Sequence, residues 1–156
     1  MKTIFLGLLV GLLAGCQTAA PQLTVAERAR FYLESADESG ERVILPLSGA
    51  QMMVQPKPVF TEYDIVDVRI AEAELGKCLA FQMTPAAARD LQRLSSANPG
   101  RRLVLLLGGV PFGARRMSQP LDRGVLLIYV EVPDAALPAL VDNLRETSAA
   151  LHSPVK

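Results

Sequence analysis

Alternation of apolar and polar positions marks most of the strands in this chain. Val66, Val68 and Ile70 alternate with Asp67 and Arg69, the period of two that a half-buried strand requires. Leu79, Phe81 and Met83 repeat the pattern after Gly76. Arg42 to Leu47 reads as another strand, with Val43, Leu45 and Leu47 on one face, and Gln51 to Val54 as a short extended piece. Pro56 and Pro58 make the next stretch extended and ill suited to a central strand. Leu103 to Leu107 is apolar at every position, which predicts a central strand covered on both faces. Gly108-Gly109 turns the chain, Val110 to Arg116 is a short strand or loop bearing Gly113, and Val125 to Val132 is again strongly apolar.

Helical signals occur in three places. Thr24 to Glu27 has the spacing of a capping box and predicts a helix to about Ser35, with Ala29, Tyr32, Leu33 and Ala36 near helical spacing. Thr84-Pro85 pairs a cap residue with a first-turn proline, Ala87, Leu91 and Leu94 form the stripe that follows, and Asn98-Pro99-Gly100 stops it. Asp134 opens a last helix with Leu137, Leu140, Val141, Leu144 and Leu151 on one side; Pro138 fits only in its first turn, so its regular part begins near Leu137. The whole predicts an α+β fold: one small mixed sheet of about five or six strands packed with two to three helices.

The N-terminus follows a different logic. Lys2 precedes an apolar run from Ile4 to Leu13 and then Leu13-Ala14-Gly15-Cys16. The run is about half of the ~20 residues that span a bilayer, so it reads as a signal peptide. The four residues resemble the lipobox of bacterial lipoproteins. That resemblance implies removal of residues 1–15 and lipidation of Cys16, with 16–23 as a tether and 24–156 as a single domain. Each buried methylene of an acyl chain contributes about 0.8 kcal/mol of membrane affinity, and several chains anchor stably. Gln17 stands where Gram-negative lipoproteins retained at the inner membrane carry Asp, so the likeness implies the periplasmic face of the outer membrane. The membrane is thus one partner, through the lipid anchor.

Charge and composition exclude several classes. The chain has 16 Lys and Arg against 16 Asp and Glu, a balance that argues against nucleic acid as a partner. With Cys16 carrying lipid, Cys78 has no disulfide partner; lying at the start of an apolar strand, it reads as a buried, inert thiol. A single histidine, His152 near the C-terminus, argues against a histidine zinc site or a Ser-His-Asp triad. Gly108 to Gly113 is glycine-rich, but Ala114-Arg115 replaces the Lys-Ser/Thr of a phosphate loop. Glu62, Asp64 and Asp67 are candidate carboxylates for polymer hydrolysis, yet tryptophan is absent and offers no platform for sugar. The expectation is a non-enzymatic module with no cofactor and no metal. Two arginine pairs, Arg101-Arg102 and Arg115-Arg116, lie on opposite arms of the Gly108-Gly109 turn, where they would converge on an acidic peptide or remain solvated strand ends.

Residues 58–145 resemble the periplasmic head region of SecD, the accessory subunit of the bacterial Sec protein-export channel. Pro58-Val59-Phe60 with Asp64-Ile65 is similar to the start of that family's first head strand. Cys78 to Thr84 resembles a strand leading into a helix, and Ala88 to Leu94 with Asn98-Pro99-Gly100 the end of that helix. Arg102 to Gly109 resembles an apolar strand and its small turn; Pro120, Gly124 and Asp134 to Leu144 complete the order. SecD also has membrane-spanning helices that use the proton gradient, and no second apolar run here approaches that length. The resemblance therefore implies a fold and a capacity to hold extended polypeptide, not a motor. Val110, Phe112 and the four arginines are the expected contacts, through strand addition or the 108–116 turn. The alternatives are a structural subunit of an outer-membrane complex, docking through its last helix, and an envelope hydrolase.

Overall fold

The computed structural model describes residues 28–37 and 39–152. The leader, Cys16, the tether and the capping box at 24–27 lie outside the described residues. Eight strands and two helices follow one another: β1 (Ala29–Leu33), β2 (Glu41–Ile44), β3 (Gln51–Val54), β4 (Ile65–Ala73), β5 (Gly76–Met83), α1 (Pro85–Ala97), β6 (Arg102–Leu107), β7 (Val110–Arg116), β8 (Val125–Val130) and α2 (Leu137–His152). The six-stranded sheet has the order β1-β6-β7-β8-β5-β4, and β2 with β3 forms a separate hairpin. All the ladders are antiparallel. The α+β class is the expected one.

The first element corrects a sequence expectation. The stretch from Ala29 is a strand, not a helix. Ala29, Phe31 and Leu33 are buried and alternate with half-buried Arg30 and Tyr32, so a period of two prevails over the helical spacing. Antiparallel pairing of Phe31 with Leu105 brings β1 against β6. The outer edge of β1 is covered in turn by residues 53–60, with Phe31 N–H donating to the Phe60 carbonyl and Val59 N–H to that of Phe31 at 2.9 and 2.8 Å.

β6 is central, as its unbroken apolar run requires. Leu103, Leu105 and Leu107 face the main core with Phe31, Phe81, Leu126 and Ile128; Val104 and Leu106 face a second cluster with Val43, Leu45, Met52 and Val54 of the hairpin. Phe31 and Phe81 meet edge to face at 5.0 Å and 87°, the geometry their quadrupoles favour. α1 starts where Thr84 accepts a hydrogen bond from the Ala87 amide, with Pro85 at its first position. A short 3-10 turn at Asp134–Ala136 precedes α2, so the regular helix begins at Leu137. Leu137, Leu140 and Leu144 are buried within the domain. This removes the docking face that the structural-subunit alternative needed.

A carboxylate holds the hairpin to the sheet. Glu131, just after β8, accepts hydrogen bonds from the Leu47 and Ser48 amides at 2.7 and 2.9 Å. Burial raises its pKa, but the hydrogen bonds from Ser48 and Leu47 outweigh that and hold it below the ordinary carboxylate value. A depressed pKa means the contribution is present above the unfolded pKa and is lost as pH falls through the folded one. Glu131→Gln should therefore cost about 1 kcal/mol at neutral pH. Urea unfolding of both proteins should show that difference shrinking toward zero on acidification below the carboxylate range; a difference independent of pH would refute the clamp.

Candidate cleft between two strands of the sheet

β7 and β8 are paired at only two positions, Gly113 with Val130 and Ala114 with Tyr129. Gly113 is needed there: a Cβ on it would lie 2.2 Å from the Tyr129 carbonyl oxygen. Beyond this junction the strands separate, because the connection from Met117 to Gly124 arches instead of closing as a tight hairpin. Three contacts pin that connection. Gly100 N–H donates to the Met117 carbonyl at 2.7 Å. Leu121 N–H donates to the buried Ser95 hydroxyl of α1 at 2.9 Å. Gly124 adopts φ +65°, a Cβ on it would lie 3.1 Å from that of Ala88, and its carbonyl accepts from Met83 N–H at 2.9 Å.

The separation leaves a cleft of about 730 Å³. Its walls are Arg115 from β7, Val125 and Leu127 from β8, and Gln119 to Arg123 from the connection. Leu126 and Ile128 point into the core, so Val125 and Leu127 face the opposite side of the sheet. Along this stretch β8 is laddered to β5, Leu127 opposite Ala80, while the edge toward β7 lacks a strand partner. Arg115 Nη1 donates to the Leu127 carbonyl at 3.1 Å, where a neighbouring strand's amide would otherwise sit. Arg115 Nε is buried without a hydrogen-bond partner.

The sequence-expected contacts fare differently. Arg102 lies opposite Arg116 and Leu103 opposite Arg115, so the pairs do occupy opposite arms of the turn. All four arginines are engaged within the domain, Arg115 through the Leu127 carbonyl alone. Arg101 donates to the Glu34 carbonyl and, at 2.6 Å, to Asn98 Oδ1. Arg102 donates through its amide and its guanidinium to the Glu34 carboxylate at 2.9 and 3.2 Å. Arg116 donates to the Gly100 carbonyl at 2.9 Å. Phe112 is a correction: only 5% exposed, it belongs to the main core, whereas Val110 is 55% exposed at the turn. Sequence reasoning missed Leu121, Arg123, Val125 and Leu127, whose shared wall exists only once β7 and β8 part.

The acidic candidates are each held by a local partner. Glu62 is 3% exposed and lies 3.5 and 3.4 Å from the Nε atoms of Arg28 and Arg30. Asp64 accepts from the Thr61 amide and hydroxyl. Asp67 accepts from Arg145 at 2.9 Å, and that hydrogen bond lowers its pKa. None of the three lines the cleft. Burial raises the pKa of the Cys78 thiol, away from thiolate reactivity.

No family model matches the chain, and no curated protein matches it. Solved structures do. SecDF in a super-membrane-facing form aligns with a TM-score of 0.61 at 20% identity, covering 83% of this chain and 20% of that one. A structure described as a membrane component SecDF that enhances protein export aligns with a TM-score of 0.61 at 18% identity over 88% of this chain and 75% of that one. The fold is SecD-like. Thermus thermophilus SecDF, described as a translocon-associated membrane protein, gives 0.52 at 20% identity over 83% and 20%. The chain thus spans about a fifth of two of these proteins, and at such identity the likeness is one of fold. Among the described residues, no helix is long and apolar enough to cross a membrane.

Proposed function

We propose that this protein is a lipid-anchored accessory module of the cell envelope that holds extended polypeptide and catalyses no reaction. The carrying observation is the β8 edge from Val125 to Ile128, which faces the cleft with no strand partner on that side. An extended chain entering the cleft would add to this edge through main-chain hydrogen bonds, a mode that places few demands on sequence. The likeness to SecDF, a component that enhances protein export, supports polypeptide as the cargo. Cys16 would supply the anchor and the outer membrane the address.

In-cell photo-crosslinking from Gln119, on the exposed rim of the cleft, tests the reading. Adducts spread over many exported proteins are the expected result. One dominant envelope protein would make the domain a dedicated subunit instead, and absence of adducts would remove the cleft as a binding site. Cys16→Ser should move the protein from the membrane fraction to the soluble periplasm and abolish palmitate labelling; retention at the membrane would refute the lipid anchor.

A further inference from the structure

We infer that the cleft selects polypeptide segments in which a carboxylate lies beside an apolar side chain, and that Arg115 reads the carboxylate. The inference rests on the polypeptide-holding reading and specifies its cargo. At about 730 Å³ the cleft falls within the roughly 300–1,000 Å³ of ligand pockets, which suits a few side chains of an extended segment rather than a folded partner. Leu121, Val125 and Leu127 give it an apolar wall. Arg115 and Arg123 against Asp122 leave one positive charge in excess.

Arg115 is set apart from the other arginines of the described residues by a buried guanidinium nitrogen without a hydrogen-bond partner. Arg28, Arg30, Arg93, Arg102 and Arg145 are each in an ion pair, and Arg101 and Arg116 donate to oxygens of the domain. Among the described residues Arg115 takes part in no ion pair, and its single hydrogen bond, from Nη1 to the Leu127 carbonyl, leaves the buried Nε unsatisfied. A guanidinium presents its donors as a planar fork, and a carboxylate is the acceptor that matches two of them at once. Arg115 already touches the β8 edge that a bound segment would pair with, so charge and main chain are read at one place. The carboxylate can come from an Asp or Glu side chain or from a chain's C-terminus.

Fluorescence anisotropy with the full chain in detergent micelles separates these cases. The probes are labelled octapeptides alternating valine and serine: one with a central glutamate and an amidated end, one with glutamine there and a free C-terminus, and one with glutamine and an amide. A carboxylate peptide should bind about tenfold more tightly than the neutral one, and which of the two does so identifies the source. R115Q should reduce that preference to near unity, and R115K should restore part of it. If R115Q fails to fold by circular dichroism, R123Q at the exposed rim should still lower the preference about threefold. Equal binding of all three peptides overturns the carboxylate inference and leaves polypeptide holding intact. Binding of none overturns both.

Discussion

Phe112→Asp should leave the domain unfolded under conditions where the unaltered protein is fully folded, while Val110→Asp should melt almost as the parent does. The two positions are two residues apart on β7, yet one lies in the main core and the other at the exposed turn. Truncating a buried phenylalanine to alanine typically costs about 3–5 kcal/mol. An aspartate adds the desolvation of a charge with no partner, or of a carboxyl forced to stay neutral. The sum approaches the roughly 5–15 kcal/mol that holds a whole domain together. Val110→Asp, exposed and outside the core, should shift stability by no more than about 0.5 kcal/mol. Thermal melts followed by circular dichroism check both. A Phe112→Asp protein melting near the parent's temperature would show that the residue is not core, and would return it to the binding surface.

Gly113→Ala comes next in size. A methyl at this position would sit 2.2 Å from the Tyr129 carbonyl oxygen and 3.0 Å from the Val130 Cα. Both neighbours are backbone, so neither can turn aside as a side-chain tip would. Relief requires β7 and β8 to move apart at one of the only two positions where they pair. Overpacking of this kind costs about 2–3 kcal/mol. Because the same junction fixes the upper end of the cleft, peptide affinity should fall together with stability. Unfolding midpoints and anisotropy titrations on one preparation test this; a loss of stability with unchanged peptide affinity would separate the cleft from the junction.

Much of the fold was legible from local pattern, and the exceptions have physical causes. β4, β5, β6 and α1 follow their periodicity and caps closely. β1 was misread because its helical spacing and the capping box before it are local signals, whereas its strand form depends on β6, far along the chain. Phe112 was within reach. A two-residue turn at Gly108-Gly109 sets Leu107 opposite Val110 and brings Phe112 beside Leu105, whose burial the apolar run already implied. The residue sits at the register shift between Leu105 and Leu106, and it still faces the core. The cleft was not legible. Nothing local distinguishes Arg115 from Arg101, Arg102 and Arg116, which differ only in whether Glu34, Asn98 or Gly100 lies within reach.

The pairing of β1 with β6 also sets the order in which the molecule can assemble. Glu34 and Arg102 meet although 68 residues separate them in the chain. Contacts of such long range slow folding, because the loop must close before they form. Synthesis proceeds from the N-terminus, so β1 emerges early and waits, its apolar face and unpaired edge open to wrong partners. The hairpin of β2 and β3 and the β4–β5 ladder are local and can form meanwhile. Phe31 can meet Leu105 only once β6 has been made, and a chain ending before Arg102 would leave the first strand paired only along its outer edge, with residues 53–60.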